Sequence, residues 1–137
     1  ISVLDSFAAL AATGCDVPEI VCFERQNAAG GLWNFTDTTG TDSYGEPIHT
    51  SMYKHLWANS PKEVNELAGY TFDEHFGKPT GSYPPREAMA GYILGRMTKH
   101  GLEKFIRFRT PIRSVTYDDE TCKFTVAWEQ LETNTTG

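Results

Sequence analysis

Cysteine is scarce, and its spacing carries no pattern: Cys15, Cys22 and Cys122 form an odd set with no CxxC pair. Disulfide frameworks and zinc sites need ligands at recurring short spacings, so neither is indicated, no metal is expected, and the thiols should be reduced and structural. Basic charge is also in deficit, with 12 lysines and arginines against 18 acidic residues and a formal net charge of -6. The basic residues are scattered rather than gathered into a stripe, which argues against nucleic acid and against an anionic membrane as partners. Long hydrophobic runs are missing: no stretch approaches the roughly 20 apolar residues that span a bilayer. The first residues also lack the basic-then-apolar layout of a secretory signal. A cytoplasmic protein with no membrane partner is the expectation. Low-complexity segments and internal repeats are absent too, and 39% hydrophobic residues with 22% charged is the composition of an ordinary globular domain.

What is there reads as an α/β chain. Ile1, Leu4, Ala8 and Ala11 recur at helical spacing and Gly14 stands where a C-terminal cap is expected, predicting a helix over residues 1–13. The run Ile20-Val21-Cys22-Phe23, ending at Glu24, has the β-branched and aromatic character of a buried parallel strand. Helix then strand is the second half of a βαβ unit. Residues 27–59 show no clean periodicity, and so long an irregular stretch in a compact domain is usually functional. Pro61 opens a short helix through about Leu67, with the proline in its first turn. Pro85 opens a stronger one, in which Met89, Tyr92, Ile93 and Met97 share a face and which Gly101 ends. Strands follow at 105–108 and 112–117, then an alternating run through Phe124, Val126 and Trp128, with Asp118 to Thr121 as the hairpin turn. The acids at that turn read as a solvated loop, and the polar tail from Glu132 to Gly137 is expected to form no closing element. A helix already under way at Ile1 and a tail without a returning strand predict a domain truncated at both ends.

Two features carry chemistry. A carboxylate at the end of the second strand of a dinucleotide-binding βαβ unit can accept hydrogen bonds from both hydroxyls of an adenosine ribose, and Glu24 is in that place. A merely solvated strand-end glutamate is the competing reading. Then Gly30-Gly31-Leu32-Trp33 pairs glycines that admit close backbone approach with an indole able to wall a flat cofactor. A plain turn beside a core tryptophan is the alternative there. His55, His75 and His100 have no spacing that suggests a metal site or triad, so surface or packing roles are expected.

Taken with the runs Tyr44-Gly45-Glu46-Pro47-Ile48-His49, Leu56-Trp57-Ala58-Asn59-Ser60-Pro61-Lys62-Glu63, Tyr70 to Pro79 and Ser82-Tyr83-Pro84-Pro85-Arg86-Glu87, the Glu24 strand end and the Gly-Gly-x-Trp turn resemble the flavin-containing monooxygenases. Within them, the similarity is to the bacterial trimethylamine monooxygenase group, and it covers essentially the whole chain. The resemblance implies a partial Rossmann-like FAD-binding domain, a parallel sheet with helices plus a β-hairpin, over residues 1–137. The NADPH-binding domain would be absent. It implies FAD and NADPH as cofactors and a small-molecule amine and O2 as reactants, with N-oxygenation of trimethylamine through a flavin hydroperoxide. A homodimeric parent is compatible with it.

Residue by residue, the resemblance implies that Glu24 holds the FAD ribose, that Gln26 lies near the adenosine half, and that Leu32, Trp33 and His49 contact the flavin nucleotide. Trp57 matches a position that contacts NADP, and the backbone of Ile112 one that contacts adenine. Asn59 matches the asparagine beside the reacting flavin, where a buried amide could donate and accept without acting as a strong acid. Spacing alone points Asn59 elsewhere, to a helix cap just before Ser60-Pro61. The family's glycine-rich pyrophosphate turn is not in the sequence, so the 137-residue piece alone is expected to be inactive. Oxidation of sulfides, indoles or ketones by a related FAD enzyme, and a non-catalytic nucleotide-binding module, are the alternatives.

Overall fold

A computed structural model describes residues 2–48 and 51–137, without the side chains of Ser2 and Asp5. The chain forms two compact units, residues 1–19 with 30–104 and residues 20–29 with 105–137.

The first unit is helical. Helix α1 spans Ser2–Ala12, and Gly14 ends it in the left-handed region at φ 78°, its N–H donating to Ala11 O at 3.1 Å. The expected helix thus forms, with its expected cap. Helix α2 is one turn, Lys62–Asn65, shorter than the sequence suggests. It stops because the Leu67 N–H turns to the Tyr92 hydroxyl, at 2.6 Å, instead of continuing the ladder. Helix α3, Phe72–Phe76, was not anticipated, although its signals are present. The Thr71 hydroxyl accepts from Glu74 N at 3.0 Å, and Gly77 closes the helix in the left-handed region at φ 65°. Five residues are too few to show a period. Helix α4 spans Arg86–Lys99 and is followed by Gly101 at φ 60°. Pro61 and Pro85 stand one residue outside their helices, as N-caps in extended conformation, rather than in the first turn. An N-cap needs no donor from its own backbone nitrogen, so proline fits there equally well.

The core of this unit is aromatic: Tyr70, Phe72, Met89 and Tyr92 are buried together, with Trp33, Ala58, Leu67 and Ile93 packed on them. Phe72 and Tyr92 stack with centroids 3.9 Å apart, and Tyr70 stacks on Tyr92 at 5.3 Å. The Tyr92 hydroxyl donates to Tyr70 O while accepting from Leu67 N, so its one polar atom is satisfied inside the apolar cluster. Burial raises the Tyr92 phenol above its usual value.

The second unit is built of strands. β1, Cys22–Phe23, pairs in parallel with β2, Ile106–Arg107, in the register Cys22 to Ile106 and Phe23 to Arg107. β1 is shorter than expected and only half-buried, having one sheet neighbour among the described residues. β3, Ile112–Asp118, and β4, Lys123–Gln130, form the predicted hairpin, with Val115 opposite Val126 and Tyr117 opposite Phe124. The Asp118 carboxylate accepts from Glu120 N and Thr121 N at the turn, and the hydrogen bonds from Thr121 lead in holding it below the usual carboxylate range. Asp119 and Glu120 are exposed, as a solvated loop requires.

The tail departs from expectation. β5, Thr135–Thr136, pairs antiparallel with β4 through Glu129 to Thr136 and Gln130 to Thr135, making a three-stranded meander. Asn134 at φ 52° supplies the reversal, a conformation asparagine tolerates better than most residues. The alternating apolar face of the hairpin is not core: Val115, Tyr117, Phe124 and Val126 are all exposed, Phe124 to 68%. Cys15 and Cys122 are exposed as well, so only half-buried Cys22 takes part in packing.

Candidate cofactor site

In the second unit, one end of the parallel pair collects three of the candidate residues. The Glu24 N–H donates to Arg107 O at 2.9 Å, extending the β1–β2 pairing by one step. Thr110 N–H then donates to Glu24 O at 2.9 Å, and Arg109 N–H to Gln26 O at 3.0 Å. The segment entering β3 at Ile112 therefore runs beside Glu24 to Gln26. The Glu24 side chain is half-buried and accepts from the Gln26 N–H through Oε1 at 2.8 Å. Its Oε2 has no partner among the described residues. The carboxylate is thus oriented by one bond and keeps a second acceptor oxygen, an arrangement that suits a ribose diol and that solvent could equally satisfy. Behind this end, Trp128 stacks on Phe23 at 6.0 Å and the Arg107 guanidinium covers both rings. Gln130 Nε2 donates to Phe108 O at 3.1 Å, pinning the crossing segment.

In the first unit, the start of α4 is the organiser. Gly30 at φ 124° and Gly31 at φ 53° lead into a 3₁₀ turn, Gly31–Trp33. Both angles favour glycine, and a Cβ on Gly31 would meet no protein atom within 4 Å, so the backbone there is open to a ligand. Trp33 packs against the aromatic core, while Leu32 is 51% exposed. The indole therefore anchors the turn from inside and the leucine faces out. Arg86 holds the same turn: its Nη1 donates to Trp33 O at 3.5 Å and its guanidinium lies 4.7 Å from the centroid of Phe35.

The segment carrying Trp57 and Asn59 runs antiparallel to Pro84–Arg86. Arg86 N–H donates to Leu56 O and Ala58 N–H to Pro84 O, both at 2.9 Å, with Trp57 opposite Pro85. Trp57 is 60% exposed, an indole with a large free surface. Asn59 is exposed rather than buried, and it caps no helix, since Pro61 holds the N-cap position of α2. Its side-chain amide has no partner among the described residues. The competing structural role for Asn59 is thereby removed. His49 lies outside the described residues. His55 and His100 are exposed, and His75 Nδ1 is 2.7 Å from the Tyr70 hydroxyl, a packing role.

Sequence reasoning missed Lys62 and Asn65. Lys62 is buried; its Nζ reaches Asp73 Oδ1 at 2.9 Å, and its N–H donates to Ser82 O. The Asp73 hydrogen bond holds the ammonium above its usual value, and the Lys62 hydrogen bond holds the carboxyl below the usual range. Only the i,i+4 spacing of Lys62 and Glu66 hinted at this node, and that pair is the longest contact in it, at 4.0 Å.

The sequence model of the family described as "Flavin-binding monooxygenase-like" matches residues 4–136. The chain belongs to that family. Among curated relatives of this flavin-binding monooxygenase-like chain, the trimethylamine monooxygenase of Roseovarius nubinhibens is 53% identical over 133 residues, 97% of this chain and 30% of the relative. That of Methylocella silvestris is 50% identical over 129 residues, 94% and 29% respectively. The crystal structure of Tmm from Pelagibacter sp. strain HTCC7211 superposes with a TM-score of 0.89 at 44% identity, over 99% of this chain and 30% of that one. The chain therefore spans about 30% of the length of the relatives it matches. Among the described residues, no helix is long and apolar enough to cross a membrane.

Proposed function

We propose that this chain is part of the FAD-binding domain of a cytoplasmic, NADPH- and O2-dependent monooxygenase that converts trimethylamine to its N-oxide. The observation that carries the reading is the 53% identity over 97% of the chain to a protein named trimethylamine monooxygenase. The NADPH-binding domain would lie elsewhere in the parent protein.

Each unit by itself carries residues whose chemistry suits part of a flavin nucleotide. Glu24, oriented by the Gln26 N–H and with Oε2 available, binds the ribose hydroxyls, with Gln26 and the Ile112 backbone near the adenosine. The Gly30-Gly31 turn offers the exposed Leu32 and the part of half-buried Trp33 left uncovered by the core to the nucleotide, and His49 contributes to the same cofactor. Trp57 offers its exposed face to the nicotinamide nucleotide. FAD, when bound and reduced, supplies the oxygen-activating chemistry, and the protein supplies position and exclusion of water. Asn59 would touch the reacting region: its amide donates and accepts at once, so it orients a polar reactant without delivering an acidic proton.

The test is NADPH oxidation by the full-length flavoprotein with and without trimethylamine, for wild type and Asn59→Ala. Amine-dependent turnover that falls in the variant while FAD stays bound is the expected result. A yellow protein that ignores trimethylamine but oxidises a methyl sulfide would move the substrate to sulfur. Light scattering on the same sample tests a homodimer.

A further inference from the structure

We propose that Asn65 is a positioning residue that sets the direction of the Asn59 amide, an inference that rests on the role assigned to Asn59 above. Asn65 is the last residue of α2 and half-buried. Its Nδ2 donates to Ser60 Oγ at 2.8 Å and to Pro61 O at 2.9 Å, with Ser60 O at 3.2 Å. One side-chain amide thus binds both residues that follow Asn59. On the other side, Ala58 N–H is fixed to Pro84 O. Asn59 stands between two anchored residues while its own side chain has no partner among the described residues, so its aim depends on the flanking backbone alone.

The chemistry at position 65 is specific. The two N–H groups of the amide face three oxygen acceptors, a set that a carboxylate would repel and an apolar side chain would leave unsatisfied. Lys62 completes the support from the same helix turn, because its ion pair with Asp73 and its N–H bond to Ser82 O hold α2 against the 73–82 segment. A purely structural Asn65, closing its own short helix, would affect stability without regard to what stands at position 59. A positioning Asn65 would act only through Asn59.

A double-mutant cycle in the full-length flavoprotein separates the two. Asn65→Asp keeps the shape and removes both donors; Asn65→Ser, with a single hydroxyl donor, serves if the aspartate does not fold. In either variant, the Ala58 and Lys62 amides, which flank this segment and donate to Pro84 O and Ser82 O, should exchange hydrogen about tenfold faster, the effect of losing one hydrogen bond's worth of local stability. With FAD content unchanged, kcat should fall about 10- to 100-fold with little change in KM, as expected when a group at the reacting centre loses its orientation. The combination with Asn59→Ala should be no slower than Asn59→Ala alone. Multiplicative losses in the double variant, or unchanged exchange at Ala58 and Lys62, overturn the positioning role while leaving the function reading intact. Full activity of Asn59→Ala by itself overturns the role of Asn59, and the positioning role with it.

Discussion

Replacing Glu24 by glutamine separates the two bonds that its carboxylate can make. Oε1 orients the side chain by accepting the Gln26 N–H at 2.8 Å, a bond that a glutamine oxygen can keep. What Glu24→Gln loses is the second charged acceptor, the one available to a ribose diol. Hydrogen bonds to a charged group contribute about 1.5 to 3 kcal/mol, which at about 1.4 kcal/mol per factor of ten predicts FAD binding weaker by roughly 10- to 150-fold. The assay is titration of deflavinated full-length protein with FAD, followed by quenching of flavin fluorescence. Melting temperature should change little, because the strand-end contact survives. Glu24→Ala, which also strips the bond to Gln26 N, should weaken binding at least as much and lower the stability of the β1 end. Unchanged FAD affinity in Glu24→Gln would refute the argument, since the solvated-glutamate reading predicts that result.

Tyr92→Phe keeps the stacking on Phe72 and Tyr70 but orphans the Leu67 N–H and Tyr70 O, at about 1 to 3 kcal/mol for each buried unsatisfied group; denaturant midpoints on the full-length protein check the loss, and an unchanged midpoint would mean that both groups find other partners. The Lys62–Asp73 pair predicts a pH window. Asp73, depressed below its ordinary 3.8, contributes stability that is present above that value and lost as pH falls through the lower folded pKa. Lys62, raised above its ordinary 10.5, contributes stability that is present below that value and lost as pH rises through the higher folded pKa. Melting curves of Lys62→Met should therefore show a gap from wild type across neutral pH that narrows at both extremes, and a gap independent of pH would exclude the ion pair as its cause.

Much of the fold is written in local pattern. The α4 face of Met89, Tyr92 and Met97, the Gly14 and Gly101 stops and the hairpin from Ile112 are short-range signals, and each appears where its signal stands. The acidic strand end and the Gly-Gly-x-Trp turn were legible because carboxylate position and positive φ are tied to residue type. Helix α3 and strand β5 were not, being too short for any period and formed only because Thr71, Gly77 and Asn134 meet the local geometry.

At the candidate site, residue type and spacing nominated Glu24 and the Gly30-Gly31-Leu32-Trp33 turn, whereas Trp57 and Asn59 were nominated only by the family resemblance. Tertiary contacts decided what each side chain is free to do. Trp33 is half-buried against the Tyr70, Phe72, Met89 and Tyr92 cluster, whereas Trp57, with the same side chain, stays mostly exposed. Asn59 loses its capping role because Pro61 takes the cap, and Asn65, unremarkable in the sequence, gains three acceptors five and four residues away. Burial and hydrogen-bond partners depend on where the backbone returns, and that is set by packing across dozens of residues rather than by any window of the chain.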